Sequence, residues 1–149
     1  KYFQKVIDKY EMNFHYVKAA MIYKKKIGNI NEAQNLLLNG WRTKKDASNC
    51  LNNYFANIDS FEELSSEIVN VYKKETTAEN KEVYLQLLKH EFDKHQILQD
   101  ITKNIAYEIV ADKIDKKPEI ASELIHFNRT NKSIIKDVMK FKLNQKQRN

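Results

Sequence analysis

The side chains of this chain that could do chemistry are four histidines, one cysteine and a scatter of carboxylates. A metal held inside a helix bundle needs carboxylates and imidazoles converging from several helices, typically two Glu-x-x-His pairs with two further glutamates. One such spacing is present, Glu123 to His126. Two i,i+4 pairs, Glu11 with His15 and Glu91 with His95, would each bring both groups to one helix face. His90 and Glu91 are sequence neighbours and point different ways. Four histidines among 20 acidic residues produce such spacings by chance, so the expectation is surface ion pairs and hydrogen-bonded histidines, with no metal and no cofactor. Cys50 lies on an apolar stripe between Ala47 and Tyr54, where a free cysteine behaves as a small hydrophobe. No histidine is adjacent in sequence to activate it. No catalytic residue is assigned, and the chain is expected not to be an enzyme.

The elements that position these groups are set by composition first. Among 149 residues there are 2 Gly and 1 Pro, where about ten and seven would be average. Glycine and proline mark the turns of β-proteins and the phosphate loops of nucleotide enzymes, so their scarcity predicts an all-α chain of long helices without nucleotide-loop chemistry. At 42% hydrophobic and 31% charged residues, the chain has enough apolar surface to fold. The lone Cys50 excludes an internal disulfide and fits an intracellular, reducing compartment, cytoplasmic or nuclear, with an organelle or another compartment where disulfides are not needed as the alternative. No run approaches the ~18 apolar residues of a membrane span. The chain opens on Lys1 rather than Met, which reads as a piece of something longer.

Helical spacing runs almost from end to end. Phe3, Val6, Ile7, Tyr10, Phe14, Val17 and Met21 form one face of a first long helix, with Asn13 as its point of kink or break. The run Lys24–Lys26 sits in its last turn, where cations oppose the helix dipole, and Gly28 ends it. Asn31 with Gln34 reads as a capping box for a short helix carrying Ala33, Leu36 and Leu37 and stopping at Gly40. Thr43 caps the next, with Ala47, Cys50, Leu51, Tyr54, Phe55 and Ile58. Ser60 with Glu63 opens another, with Phe61, Leu64, Ile68 and Val71. From Thr76 with Glu79 there is no breaker until Pro118. That segment, with Tyr84, Leu87, Leu88, Phe92, Leu98, Ile101, Ile105 and Ile109, would span roughly 54 Å as one helix, bending near Asp100 to Asn104. After Pro118, the residues Ile120, Leu124, Phe127, Asn131, Ile134, Val138 and Phe141 follow heptad spacing and should pack on the long helix before them. The predicted fold is about six helices in a single domain over 1–149: short antiparallel pairs over 1–75, then a long two-helix hairpin over 76–145.

Gly28-Asn-Ile-Asn-Glu-Ala33, preceded by Tyr23 and followed by Leu36, Leu37 and Gly40, resembles the centre of a tetratricopeptide repeat, and similar units occur in α-solenoid scaffolds. In that resemblance, which covers about residues 13–40, Gly28 is the turn glycine, Ala33 and Gly40 the small packing residues and Leu37 the large apolar one. The sequence departs from the family by one extra residue between Tyr23 and Gly28, by the lack of a closing proline, and by the lack of a second copy at a 34-residue period. The resemblance implies a concave surface that binds a protein segment, without catalysis.

The leading functional expectation is a non-enzymatic protein–protein interaction or scaffold module built from helical hairpins. Its candidate contact residues are Tyr16, Tyr23, Trp41, Lys44 and Lys45, with Trp41 weighed first as a core staple between helix pairs and second as an exposed anchor. The alternative is a basic nucleic-acid-associated protein, such as a subunit of a ribonucleoprotein assembly, since the net charge is +6. Lys24, Lys25, Lys26, Lys136, Lys140 and Lys142 are its candidate phosphate contacts. Against it, nearly all the cations are lysines, while base and phosphate readers favour arginine.

Overall fold

The structure is a computed structural model that describes residues 2–127 and 139–144. It is all-helical, in two compact units, 1–76 and 77–149. Nine distinct helices, eight of them of seven residues or more, are found among the described residues. The expectation of about six is therefore corrected: two segments that read as single long helices are each broken, and the last is described as two pieces, Pro118–Phe127 and 139–144.

The first unit begins with α1 (Tyr2–Met12) and α2 (Tyr16–Ile22), the latter widening into a π-helical turn, Tyr23–Ile27. Between α1 and α2 the chain breaks outright, with Phe14 at φ 61°. The Asn13 side chain donates to Lys9 O at 2.9 Å and His15 N–H to Tyr10 O at 2.7 Å, so carbonyls at the end of α1 find partners without another helical turn. Gly28, at φ 76°, terminates the π turn in the left-handed conformation that glycine adopts without steric cost. Next come α3 (Ile30–Thr43) and α4 (Ala47–Ala56), then α5 (Phe61–Asn70), which passes into a second π turn, Val71–Glu75. Both π turns carry Tyr-Lys-Lys, at Tyr23–Lys25 and Tyr72–Lys74.

Three capping expectations change. Asn29, not Asn31, caps α3, its side-chain oxygen accepting Glu32 N–H at 3.2 Å. Thr43 is the last residue of α3 and donates back to Asn39 O; the turn into α4 is made instead by Lys44 and Asp46, both at positive φ. Thr76 likewise donates back to Val71 O and caps nothing ahead of it. The Ser60 cap stands: its hydroxyl oxygen accepts Glu63 N–H at 3.3 Å.

Consecutive helices of this unit pack on one another, α1 on α2, α2 on α3, α3 on α4, as short connections require. The core takes Tyr16, Ala19 and Ala20 from α2, Ala33, Leu36, Leu37 and Trp41 from α3, Cys50, Leu51 and Phe55 from α4, and Leu64 and Ile68 from α5. Gly40 does not end a helix. It lies inside α3, where the absent side chain leaves room for Cys50 and the Tyr16 ring.

The C-terminal end of α3 is tied to the second π turn. Trp41 Nε1–H donates to Glu75 O at 2.9 Å, and the Arg42 guanidinium grips the Glu75 carboxylate with both arms, at 2.5 and 2.9 Å. That hydrogen bond is the main reason the Glu75 carboxyl titrates below its ordinary 4.5. A carboxylate with a depressed folded pKa adds stability above its unfolded pKa and loses it as pH falls through the folded value. The pair is partly exposed, so its contribution is about 0.2–1 kcal/mol. In urea titrations, Arg42→Gln should lower the midpoint at pH ~7 and converge with the native chain as pH falls through the depressed Glu75 pKa. An equal deficit above and below that value would show that the ionic component is nil.

The second unit holds α6 (Lys81–Lys94), a 3-10 turn (Gln96–Leu98), α7 (Gln99–Lys113), and a 3-10 segment, Pro118–Phe127. Residues 139–144 are helical. The expected single long helix is thus two helices, α6 and α7, packed on one another, and the expected bend near Asp100 is instead a break at His95 (φ −128°, ψ 96°). No glycine or proline forces it. The break lets Leu85, Leu88 and Phe92 of α6 bury with Ile105, Ile109 and Val110 of α7, a gain that outweighs continued helix propagation. Gln99 Nε2 closes the corner on Phe92 O at 3.1 Å.

Pro118 opens the 3-10 segment, which buries Ile120, Leu124 and Phe127. Phe92 and Phe127 meet edge to face, ring centroids 5.1 Å apart. The heptad positions Asn131, Ile134 and Val138 lie outside the described residues. Cross-links from Lys81 to Asp112, Lys117 to Glu82 and Lys89 to Glu123 fasten α6 to its neighbours.

Candidate functional site

Between α3, α4 and α5 the first unit is hollowed into a groove of about 700 Å³. Its walls follow from helical spacing. Asn31, Gln34, Asn35 and Leu38 fall one turn apart along one side of α3, away from Leu36 and bordering the buried row of Leu37 and Trp41. Opposite them α5 presents Glu62, Glu63, Ser66 and Glu67, while Tyr54 and Ile58 come from α4 and the residues just after it. The Ser60 cap fixes where α5 starts. Its first turn holds Glu62 and Glu63, where carboxylates interact favourably with the helix N-terminus. Glu67 is one turn further on, on the same face as Glu63.

The groove is held by a hydrogen-bonded chain. Gln34 Nε2 donates to Tyr54 O at 3.0 Å, Asn57 Nδ2 to Gln34 Oε1 at 2.9 Å, and Lys24 Nζ to Asn57 Oδ1 at 2.8 Å. The Tyr54 hydroxyl donates to Glu67 Oε2 at 2.9 Å. Burial first, and that bond second, push the Tyr54 phenol far above its ordinary pKa, so it stays protonated and acts as a donor. The half-buried Leu38 and Ile58 give the groove an apolar strip. The arrangement offers apolar contact, amide hydrogen-bonding groups and three carboxylates, which suits it to binding.

The sequence-derived contact residues do not gather there. Trp41 is wholly buried and Tyr16 nearly so, Trp41 taking the core position weighed first. Tyr23 is half-buried, its hydroxyl 3.4 Å from the Gln4 side chain. Lys44 and Lys45 are exposed, the Lys45 ammonium lying 5.0 Å over the Phe14 ring. Of the phosphate candidates, Lys25 and Lys26 are exposed, Lys24 bonds Asn57, and Lys140 is exposed. Lys142 pairs with Asp115 at 2.7 Å, and Lys136 lies outside the described residues.

The spacings that suggested metal ligation resolve into other contacts. Glu11 and His15 fall on either side of the α1–α2 break and share no helix face. Glu123 takes bonds from Lys89 and Gln86, and His126 pairs with Asp93 at 3.0 Å. Glu91 is buried, with His95 Nε2 3.4 Å from its Oε2, close enough for an ion pair but without hydrogen-bond geometry. No cluster of three or more His, Cys, Asp or Glu side chains that could hold a metal occurs among the described residues. Cys50 is fully buried, and burial, with Asp46 second, pushes its thiol up to about 11, which keeps it protonated at neutral pH. No helix among the described residues is long and apolar enough to cross a membrane.

Neither a family model, nor a curated protein, nor a solved structure matches this chain.

Proposed function

We propose that this chain is a non-enzymatic protein-interaction module whose docking surface is the α3–α4–α5 groove. The observation that carries the reading is the groove itself, of about 700 Å³, whose α3 and α4 sides are joined by the Lys24–Asn57–Gln34 chain and whose α5 side is held by Tyr54 on Glu67. A surface ordered before binding loses less entropy on association. It is also concave, the property that the tetratricopeptide-like spacing of Gly28, Ala33 and Gly40 implies. The competing reading, nucleic-acid association, draws on the exposed lysines Lys25 and Lys26 of the first π turn and Lys73 and Lys74 of the second.

One experiment addresses both. The native chain and a Ser66→Trp variant, which fills the groove from its exposed α5 wall, are immobilised and challenged with native extract at ~50 and ~500 mM salt. A stoichiometric protein held by the native chain and reduced at least about tenfold by the variant is the expected result. Equal retention by both removes the groove from the proposal. Recovery of RNA alone, released at the higher salt, transfers the assignment to the nucleic-acid reading.

A further inference from the structure

We infer that the occupant of the α3–α4–α5 groove is a lysine- or arginine-bearing amphipathic segment of a partner protein, its apolar side on Leu38 and Ile58 and its cations on Glu62, Glu63 and Glu67. This rests on the interaction-module reading and adds the chemistry of the partner. The chain as a whole carries 26 basic and 20 acidic residues, yet the groove lining contains three glutamates and no lysine or arginine. Local charge therefore opposes net charge, and a field of that sign repels a phosphate backbone and attracts cations.

The carboxylates are not consumed by the fold. Glu62 and Glu63 make no side-chain hydrogen bond or ion pair among the described residues, and Glu67 uses only Oε2, toward Tyr54. A favourable interaction with the α5 N-terminus accounts for acids in the first turn and so for Glu62 and Glu63. Glu67 lies a full turn beyond, where the dipole's influence has faded; its Oε2 is held by Tyr54 and its Oε1 is left to a ligand. Glu63 and Glu67 stand about 6 Å apart along the α5 axis, a separation that two basic side chains on one face of a peptide can match. The half-buried Leu38 and Ile58 lie in the same lining, so a ligand with both characters is accommodated better than one with charge alone.

The test is fluorescence anisotropy with the full chain and labelled peptides of about 20 residues that share one leucine heptad pattern and differ only in carrying Lys, Gln or Glu elsewhere. The Lys peptide is expected to bind at least about tenfold more tightly than the Gln peptide, and the Glu peptide not at all. The triple variant Glu62→Gln, Glu63→Gln, Glu67→Gln keeps side-chain shape and the acceptor for Tyr54, and should erase the Lys preference. A matching circular dichroism melt establishes that it is folded. If Lys and Gln peptides bind the native chain equally, and Leu38→Ser weakens both, the groove docks protein but the charge inference is overturned. If the Lys peptide fails to bind, or binds the triple variant and Leu38→Ser as well as the native chain, the inference falls and the groove reading with it.

Discussion

Replacing Trp41 with alanine is expected to cost about 3–5 kcal/mol, the largest effect of any single substitution considered. The indole is completely buried in the first unit, and truncation leaves a cavity that neighbouring helices only partly close. A second loss comes with it. Trp41 Nε1–H donates to Glu75 O, so removal of the donor leaves a carbonyl of the second π turn without that partner. Trp41→Phe keeps an aromatic ring in the site but removes the N–H together with part of the bicycle, so it combines a smaller cavity with the lost hydrogen bond to a part-buried carbonyl. Its cost should be about 1–3 kcal/mol, below that of the alanine variant. Urea unfolding followed by far-ultraviolet circular dichroism measures both variants. A deficit below about 1 kcal/mol for the alanine variant would contradict complete burial. If Trp41 were instead a partner-contacting anchor, Trp41→Phe would weaken peptide binding; a buried Trp41 predicts unchanged affinity at temperatures where the variant is folded.

What the sequence exposed and what it concealed follow one physical division. Apolar stripes record which face of a helix is buried only where the helix runs on unbroken: Leu51, Leu88 and Ile105 are all in the core. Of the stripe expected for the first helix only Ile7 is buried. Phe3, Phe14 and Met21 are exposed, because the break at Phe14 turns α2 inward on Tyr16, Ala19 and Ala20 instead. The Ser60–Glu63 cap was legible because it is local, one hydroxyl and one N–H three residues apart. The break at His95 was not, because it is decided by what α6 and α7 gain from burying each other, a non-local quantity that no residue near His95 announces. The cap of α3 was missed by two positions because Asn29 and Asn31 are chemically alike, and only backbone geometry distinguishes them. The groove was harder still. Its walls border the buried stripes rather than forming them, so Gln34, Glu63 and Glu67 looked like ordinary solvated positions. Only the apposition of three helices gives them a common address. Residue type marks Trp41 and Lys45 alike as contact candidates, and only the packing separates Trp41, which is sealed inside, from Lys45, which is exposed.

The closest apposition gives the second large prediction. Gly40 lies within α3, and a Cβ built there would overlap Cys50 Sγ, with Cys50 Cβ at 3.1 Å and the Tyr16 ring at 3.3 Å. Helix propensity alone would make Gly40→Ala stabilising by about 0.8–1 kcal/mol. Packing opposes it. Cys50 is fully buried on the facing helix, its side chain is short, and the tyrosine ring closes another approach, so α3 and α4 must part or Cys50 must leave its rotamer. Overpacking of this kind costs about 1–3 kcal/mol, and the overlap is severe enough to put the cost in the upper part of that range, giving a net loss of up to about 2 kcal/mol. The cause can be isolated by a double-mutant cycle. Cys50→Ala by itself removes buried volume and should cost about 1 kcal/mol. In its background, the sulfur that Gly40→Ala would strike is gone, and the added methyl fills part of the space it left. Gly40→Ala should then be neutral or stabilising, a coupling of about 1–3 kcal/mol between the two positions. Simple additivity in chemical denaturation would mean that α3 and α4 are not pressed together at this point.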